Sequence, residues 1–123
     1  MSMALIDMIV RVAHQLDADS QSVSPKELHE AYLESFPGET KGRSREGFTA
    51  ELSFHCINMP ARFFDPSNPT APDRWNKRPL FKRLKRGQYM LLSEEEVGRF
   101  QQCLADNHPL VYAPEYDVAD LIS

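Results

Sequence analysis

The stretch from Leu80 to Leu92 constrains the fold more than any other part of the chain. Apolar residues at both ends flank a cationic centre, and Gly87 supplies the positive φ that a tight turn requires. This pattern predicts a β-hairpin whose ends pack on a core while its tip stays in water. The tip contains Lys82, Arg83, Lys85 and Arg86. A hairpin tip with this charge is suited to an anionic partner.

The segments around the hairpin predict helices. Ser24, Pro25 and Glu27 have the sequence of a capping box, and Ser93 is expected to cap a second helix start. Apolar spacing and caps together place helices over residues 4–16, 24–35, 44–59 and 93–106. The expected fold class is α+β and mostly helical. It is a winged helix, meaning a helix-turn-helix plus a β-hairpin wing, with an additional C-terminal helix.

The length of 123 residues predicts one domain over residues 1–106. This domain includes a proline-rich ordered loop over 60–79 and the hairpin over 80–92, and an acidic and apolar tail follows over 107–123. Because no apolar run is long enough to cross a membrane and no secretion signal begins the chain, a cytoplasmic location is expected. The two cysteines fit reduced thiols in that compartment.

The formal net charge of −4 is unevenly distributed along the chain. Residues 1–36 have a charge of −4, residues 37–90 of +6 and residues 91–123 of −6. A basic centre between acidic ends favours one anion-binding face. The alternative is a solvated surface whose charges happen to cluster, and composition alone does not separate the two interpretations.

Two regions supply candidate nucleic-acid contacts, the hairpin and the third helix with its cationic start. Phosphate contacts are expected from Lys41, Arg43, Lys82, Arg83, Lys85 and Arg86. Base-edge contacts are expected from Ser44, Arg45, Thr49 and Ser53, with Arg45 the best candidate for guanine. Gln88 is expected to enter a minor groove. Six phosphate contacts predict a slope of about −5 in a log–log plot of affinity against salt.

Three short motifs resemble those of a known group. They are Cys56-Ile57-Asn58, then Leu80-Phe81-Lys82-Arg83, then Arg86-Gly87-Gln88-Tyr89. Over residues 4–92 the chain is similar to the small winged-helix domains found beside restriction and other phage-defence enzymes. The resemblance implies DNA binding without enzymatic activity, in a regulator of transcription or an accessory or specificity module of a defence system. The acidic helix and tail after the hairpin depart from that pattern.

No set of residues predicts catalysis, so we expect neither an enzyme nor a cofactor. His55, Cys56, Cys103 and His108 are of the right types for zinc. However, adjacent residues of a helix project about 100° apart, so His55 and Cys56 cannot easily share one ion. His55 is expected in the core, and His29 is expected on the surface of its helix.

A protein-interaction module is the rival interpretation. Phe63, Phe64 and Trp75 in the proline-rich loop are candidates for an exposed anchor patch. The tail over 107–123 can be a docking peptide, a dimer element or a cover over the basic face, although packing against the first helix is the simplest interpretation. Among nucleic acids, double-stranded DNA is favoured over RNA by fold analogy alone.

Overall fold

The computed structural model describes residues 3–58 and 78–106, and these residues form an α+β, mostly helical fold. In chain order the elements are α1 (Leu5–Gln15), α2 (Pro25–Ser35), α3 (Arg45–Phe54), β1 (Phe81–Lys85), β2 (Gln88–Leu91) and α4 (Glu94–Ala105). The α+β, mostly helical class, the hairpin and the starts of the helices are therefore confirmed. The tail, and the proline-rich loop up to residue 77, lie outside the described residues.

The starts of α2 and α4 follow from local hydrogen bonding. Ser24 Oγ accepts from the Glu27 N–H at 3.0 Å, and the Glu27 carboxylate accepts from the Ser24 N–H at 3.2 Å. Ser93 and Glu96 repeat this arrangement at the start of α4, at 3.1 and 3.0 Å. Each box satisfies two of the amide groups that a helix start leaves without a partner.

The end of α3 differs from the prediction. The helix stops at Phe54, so the expectation of a helix to about Met59 is wrong for residues 55–58, and Met59 itself lies outside the described residues. The chain turns at His55, whose carbonyl accepts from the Phe81 N–H at 3.1 Å. Ile57 N–H then donates to the Phe81 carbonyl at 3.0 Å, and Cys56 pairs with Phe81 in a parallel bridge. Pairing with β1 thus replaces the last helical turn.

The hairpin pairs antiparallel, with Phe81 opposite Leu91 and Lys85 opposite Gln88. A bulge at Leu84 interrupts the register, and the turn contains Gly87 at φ 78°. On the open side of β2, the backbone groups of Val23 and Tyr89 exchange two hydrogen bonds of 2.8 Å. The hairpin is therefore flanked by residues 55–58 on one side and by Val23 on the other.

The core lies between the three helices α1, α2 and α3 and the inner face of the hairpin. It contains Ile9, Val12, Leu28, Tyr32, Phe48, Leu52, Phe81 and Leu91. Each helix contributes residues at three- and four-residue spacing, as an amphipathic helix must. Within residues 3–58 and 78–106, no helix is long and apolar enough to cross a membrane.

Candidate nucleic-acid interface

Three cations gather at the start of α3, and we call Lys41, Arg43 and Arg45 the α3-start cations. Ser44 caps the helix, since its hydroxyl accepts from the Gly47 N–H at 3.1 Å. A helix N-terminus has a partial positive charge, so each nearby cation costs some tenths of a kcal/mol to about 1 kcal/mol. All three side chains are exposed. Folding stability therefore does not account for this concentration of charge.

The loop before α3 has a fixed backbone. Tyr32, which is fully buried, donates its hydroxyl proton to the Lys41 carbonyl at 2.6 Å. Burial raises the pKa of Tyr32, Glu39 adds to that rise and Arg43 opposes it, so the hydroxyl keeps its proton. Gly42 follows at φ 64° and lies against Leu5 of α1. The positions of the α3-start cations are thus set by contacts with α1 and α2.

Arg43 is hydrogen-bonded to a neutral group. Its guanidinium donates to the Phe36 carbonyl at 2.8 Å and lies 6.0 Å from the centre of the Tyr32 ring. Neither contact neutralises the charge, because a carbonyl and an aromatic face have no net charge. Arg43 therefore presents a full positive charge to solvent.

Arg45 is hydrogen-bonded to a buried histidine. Its Nε donates to Nδ1 of His29 at 2.9 Å, and Nε2 of His29 donates to the Gly42 carbonyl at 2.9 Å. His29 is only 3% exposed, so the expectation that it lies on the surface is wrong. Its three-residue spacing from the core residue Tyr32 is the sequence signal that places it on the inner face of α2.

The small polar residues expected to contact bases differ in exposure: Ser44 is exposed, whereas Thr49 and Ser53 are less accessible than expected. Ser44 uses its hydroxyl as the helix cap, and Thr49 is half-buried. Ser53 is 5% exposed, so its expected place on the exposed side of α3 is wrong. It lies in the last turn, where the Cys56 N–H donates to its carbonyl at 3.1 Å as the chain turns towards β1. Ser53 cannot reach a base edge from this position.

The hairpin turn leaves two cations exposed, Lys85 and Arg86, which we call the hairpin-turn cations. Within the described residues neither of them has an acidic partner. Leu84, at the bulge beside them, is 44% exposed.

Lys82 is paired with an acid of α4. Its Nζ lies 2.5 Å from a carboxylate oxygen of Glu96, and both side chains are largely buried. Burial alone would raise the pKa of Glu96, but the hydrogen bonds and charge of Lys82, with the Ser93 cap, bring that pKa below its ordinary value. Lys82 is therefore compensated within the protein, contrary to its expected role as a phosphate contact.

Arg83 points inward. Its side chain is 9% exposed, so the expectation that it lies on the wet tip is wrong. Asn58 fixes its backbone: the Arg83 N–H donates to Oδ1 at 2.7 Å, and Nδ2 donates to the Arg83 carbonyl at 2.6 Å. Inward and outward side chains alternate along β1 up to Arg83. The bulge at Leu84 shifts that alternation by one residue, so Lys85 is exposed instead of buried. The sequence gives no sign of the Asn58 contact, which joins residues 25 positions apart.

The buried thiol of Cys56 is unsuited to catalysis. Its S–H donates to Asn58 Oδ1 at 3.4 Å. Burial raises the pKa of the thiol to about 12, although a hydrogen bond from the Asn58 backbone and the Arg83 charge act in the opposite direction. The thiolate needed for nucleophilic attack is therefore scarce at neutral pH. No group of three potential metal ligands forms among residues 3–58 and 78–106, and His108 lies outside them.

Two further expectations concern the outer parts of the interface. Gln88 is half-buried beside the turn, and its Oε1 accepts from the Ser22 hydroxyl at 3.2 Å. Phe63, Phe64 and Trp75, expected as a protein-binding patch, lie outside the described residues.

Comparisons with protein families, with curated proteins and with solved structures gave no match to this chain.

Proposed function

We propose that this protein is a winged-helix protein that binds double-stranded DNA. In this proposal α2 and α3 form the helix-turn-helix, and the hairpin is the wing. The element order supports it, because three helices precede an antiparallel hairpin and Val23, between α1 and α2, pairs with that hairpin. This order is compatible with a winged helix.

The observation that carries the proposal is the group of α3-start cations, none of which forms an ion pair within the described residues. Arg43 and Arg45 are oriented by a carbonyl and by a neutral imidazole, and neither contact lowers their charge. A helix start adds its own positive potential and its free amide groups. A phosphate backbone is the anionic partner that these cations do not have in an ion pair within the described residues.

The hairpin-turn cations give the second contact. Lys85 and Arg86 are exposed on a short turn, where long side chains can follow a phosphate backbone. With Lys41 and Arg43 they make four phosphate contacts, since Lys82 is paired with Glu96 and Arg83 is buried. Four contacts predict a salt slope of about −3.5 rather than the value of about −5 expected from six.

The cellular role we propose is that of a regulator, or of an accessory or specificity module, in a restriction or phage-defence system. Only the resemblance in the motifs around Cys56, Leu80 and Arg86 supports this role. The proposal assigns no catalysis to the chain.

Binding of a labelled duplex of about 30 base pairs, followed by fluorescence anisotropy between about 50 and 200 mM salt, tests the proposal. We expect steeply salt-dependent binding that the double reversal Lys85→Glu, Arg86→Glu abolishes. The matched control is Arg11→Glu, Lys26→Glu, which changes the net charge equally at exposed cations of the acidic N-terminal part. An equal loss of DNA affinity in both variants would mean that the hairpin-turn cations act only through the net charge of the protein.

The same experiment separates the alternatives. If the protein binds RNA of the same sequence more tightly than the DNA duplex, its partner is RNA and not double-stranded DNA. No binding of either at low salt would overturn the proposal and favour a protein-interaction module. In that case, loss of partner binding on substitution of Trp75 would be the next measurement.

A further inference from the structure

The contact between Arg45 and His29 has a defined proton arrangement. A guanidinium can only donate hydrogen bonds and a carbonyl can only accept them. Nδ1 of His29 must therefore accept from Arg45, and Nε2 of His29 must carry the proton that it donates in the hydrogen bond to the Gly42 carbonyl. The imidazole is therefore neutral and in a single tautomer. Its ring is 4.8 Å from the Phe48 ring and is buried against α3, so it has little freedom to turn.

This arrangement determines which edge of Arg45 is available. The Nε–H is used inside the protein, and the side chain is otherwise exposed. The two terminal nitrogens remain as a planar pair of donors directed away from His29. A planar pair of donors matches two acceptors at fixed spacing, and on the major-groove edge guanine offers such a pair in O6 and N7.

We propose that His29 is a positioning residue that orients Arg45 for bidentate recognition of one guanine in the major groove. The inference rests on the proposed function. It assigns Arg45 to base recognition and leaves phosphate contact to Lys41, Arg43 and the hairpin-turn cations. The sequence specificity of the protein then depends on a buried side chain of α2 that does not touch DNA.

Two substitutions of His29 separate its two hydrogen bonds. In His29→Asn the amide oxygen can take the place of Nδ1 and accept from Arg45. In His29→Gln the amide nitrogen can take the place of Nε2 and donate to Gly42, while the acceptor for Arg45 is lost. A purely structural role in holding the loop predicts that Gln is the better replacement. A positioning role predicts that Asn is better for guanine recognition.

The experiment begins with selection from duplexes with a random central segment, using the wild type and Arg45→Lys. Lysine keeps the charge but lacks the planar pair of donors. We expect the wild type to enrich a guanine that Arg45→Lys does not enrich. Absence of such a guanine, in a protein that still binds DNA with steep salt dependence, overturns the inference and leaves the proposed function intact. Absence of any duplex binding overturns both.

The second step replaces the selected guanine by 7-deazaguanine, which lacks the N7 acceptor. Wild type and His29→Asn should lose about tenfold in affinity on this replacement. His29→Gln and Arg45→Lys should show little loss, with unchanged salt slopes. Circular dichroism and urea unfolding establish that each variant is folded. Full sensitivity to 7-deazaguanine in His29→Gln would overturn the positioning role.

Discussion

The side chain of Asn58 makes the two hydrogen bonds to the Arg83 backbone that a neighbouring strand would otherwise make. The nitrogen of its side-chain amide donates to the Arg83 carbonyl, the oxygen accepts from the Arg83 N–H, and the residue is fully buried. Asn58→Ala leaves a buried N–H and a buried carbonyl without these partners, so we expect the free energy of unfolding to fall by about 2–4 kcal/mol. Urea unfolding measures this, with the exposed substitution Gln101→Ala as the control, which should change it by under about 0.5 kcal/mol. A loss below about 1 kcal/mol for Asn58→Ala would mean that water replaces the contact.

Gly42 is required for both its backbone angle and its lack of a side chain. It has φ 64°, and a Cβ there would lie 2.8 Å from Cδ1 of Leu5. Gly42→Ala is therefore expected to lower the free energy of unfolding by about 2–3 kcal/mol. Gly38→Ala is the matched control, because no atom lies within 4 Å of a Cβ at that site. Similar midpoints of thermal unfolding for the two variants would contradict this account.

At the scale of elements, local signals predict starts better than ends. The capping boxes at Ser24 and Ser93 lie within four consecutive residues, so the sequence is sufficient to place them. The end of α3 depends instead on Phe81, which is distant in sequence and competes for the backbone of residues 55–58. The apolar spacing continued to Met59 and favoured a longer helix, but pairing with β1 prevailed.

The ion pair between Lys82 and Glu96 links β1 to α4, and it should make stability depend on pH. The folded-state pKa of Glu96 lies below its ordinary value of 4.5. The stabilisation is therefore complete above the ordinary pKa and is lost as pH falls through the folded-state pKa. Glu96→Gln keeps a capping-box residue, so its effect isolates the ion pair.

We expect Glu96→Gln to lower the free energy of unfolding by about 1–2 kcal/mol at pH 7, with the difference shrinking below pH 4.5. Urea unfolding across a pH series measures this difference. Glu94→Gln is the control, since it removes the same charge from the same turn at an exposed site. A difference that stayed constant down to acidic pH would show that the ion pair is not its origin.

At the scale of the whole molecule, the sequence shows where charge lies along the chain but not which charges are compensated. Residues 37–90 have a net charge of +6, yet Lys82 pairs with Glu96 and Arg78 pairs with Asp7 of α1. These partners lie far along the chain, so periodicity and composition could not identify them. Among residues 37–58 and 78–90, the exposed cations that have no ion-pair partner in the described part of the chain are the α3-start and hairpin-turn cations, a smaller set than the sequence predicts.

Neutral substitutions test whether these two sets contact one DNA molecule. Lys41→Gln with Arg43→Gln, and Lys85→Gln with Arg86→Gln, should each make the salt slope shallower by about 1.8, because each phosphate contact contributes about 0.9. The fourfold variant should have a slope near zero if Arg45 contacts only bases.

Since the two sets share no contact in the described residues, their effects on the free energy of binding should add. Anisotropy titrations measure these slopes, with Arg11→Gln, Lys26→Gln as the control for net charge. If one pair leaves the slope at the control value, only the other set contacts DNA, and the protein binds through either α3 or the hairpin alone.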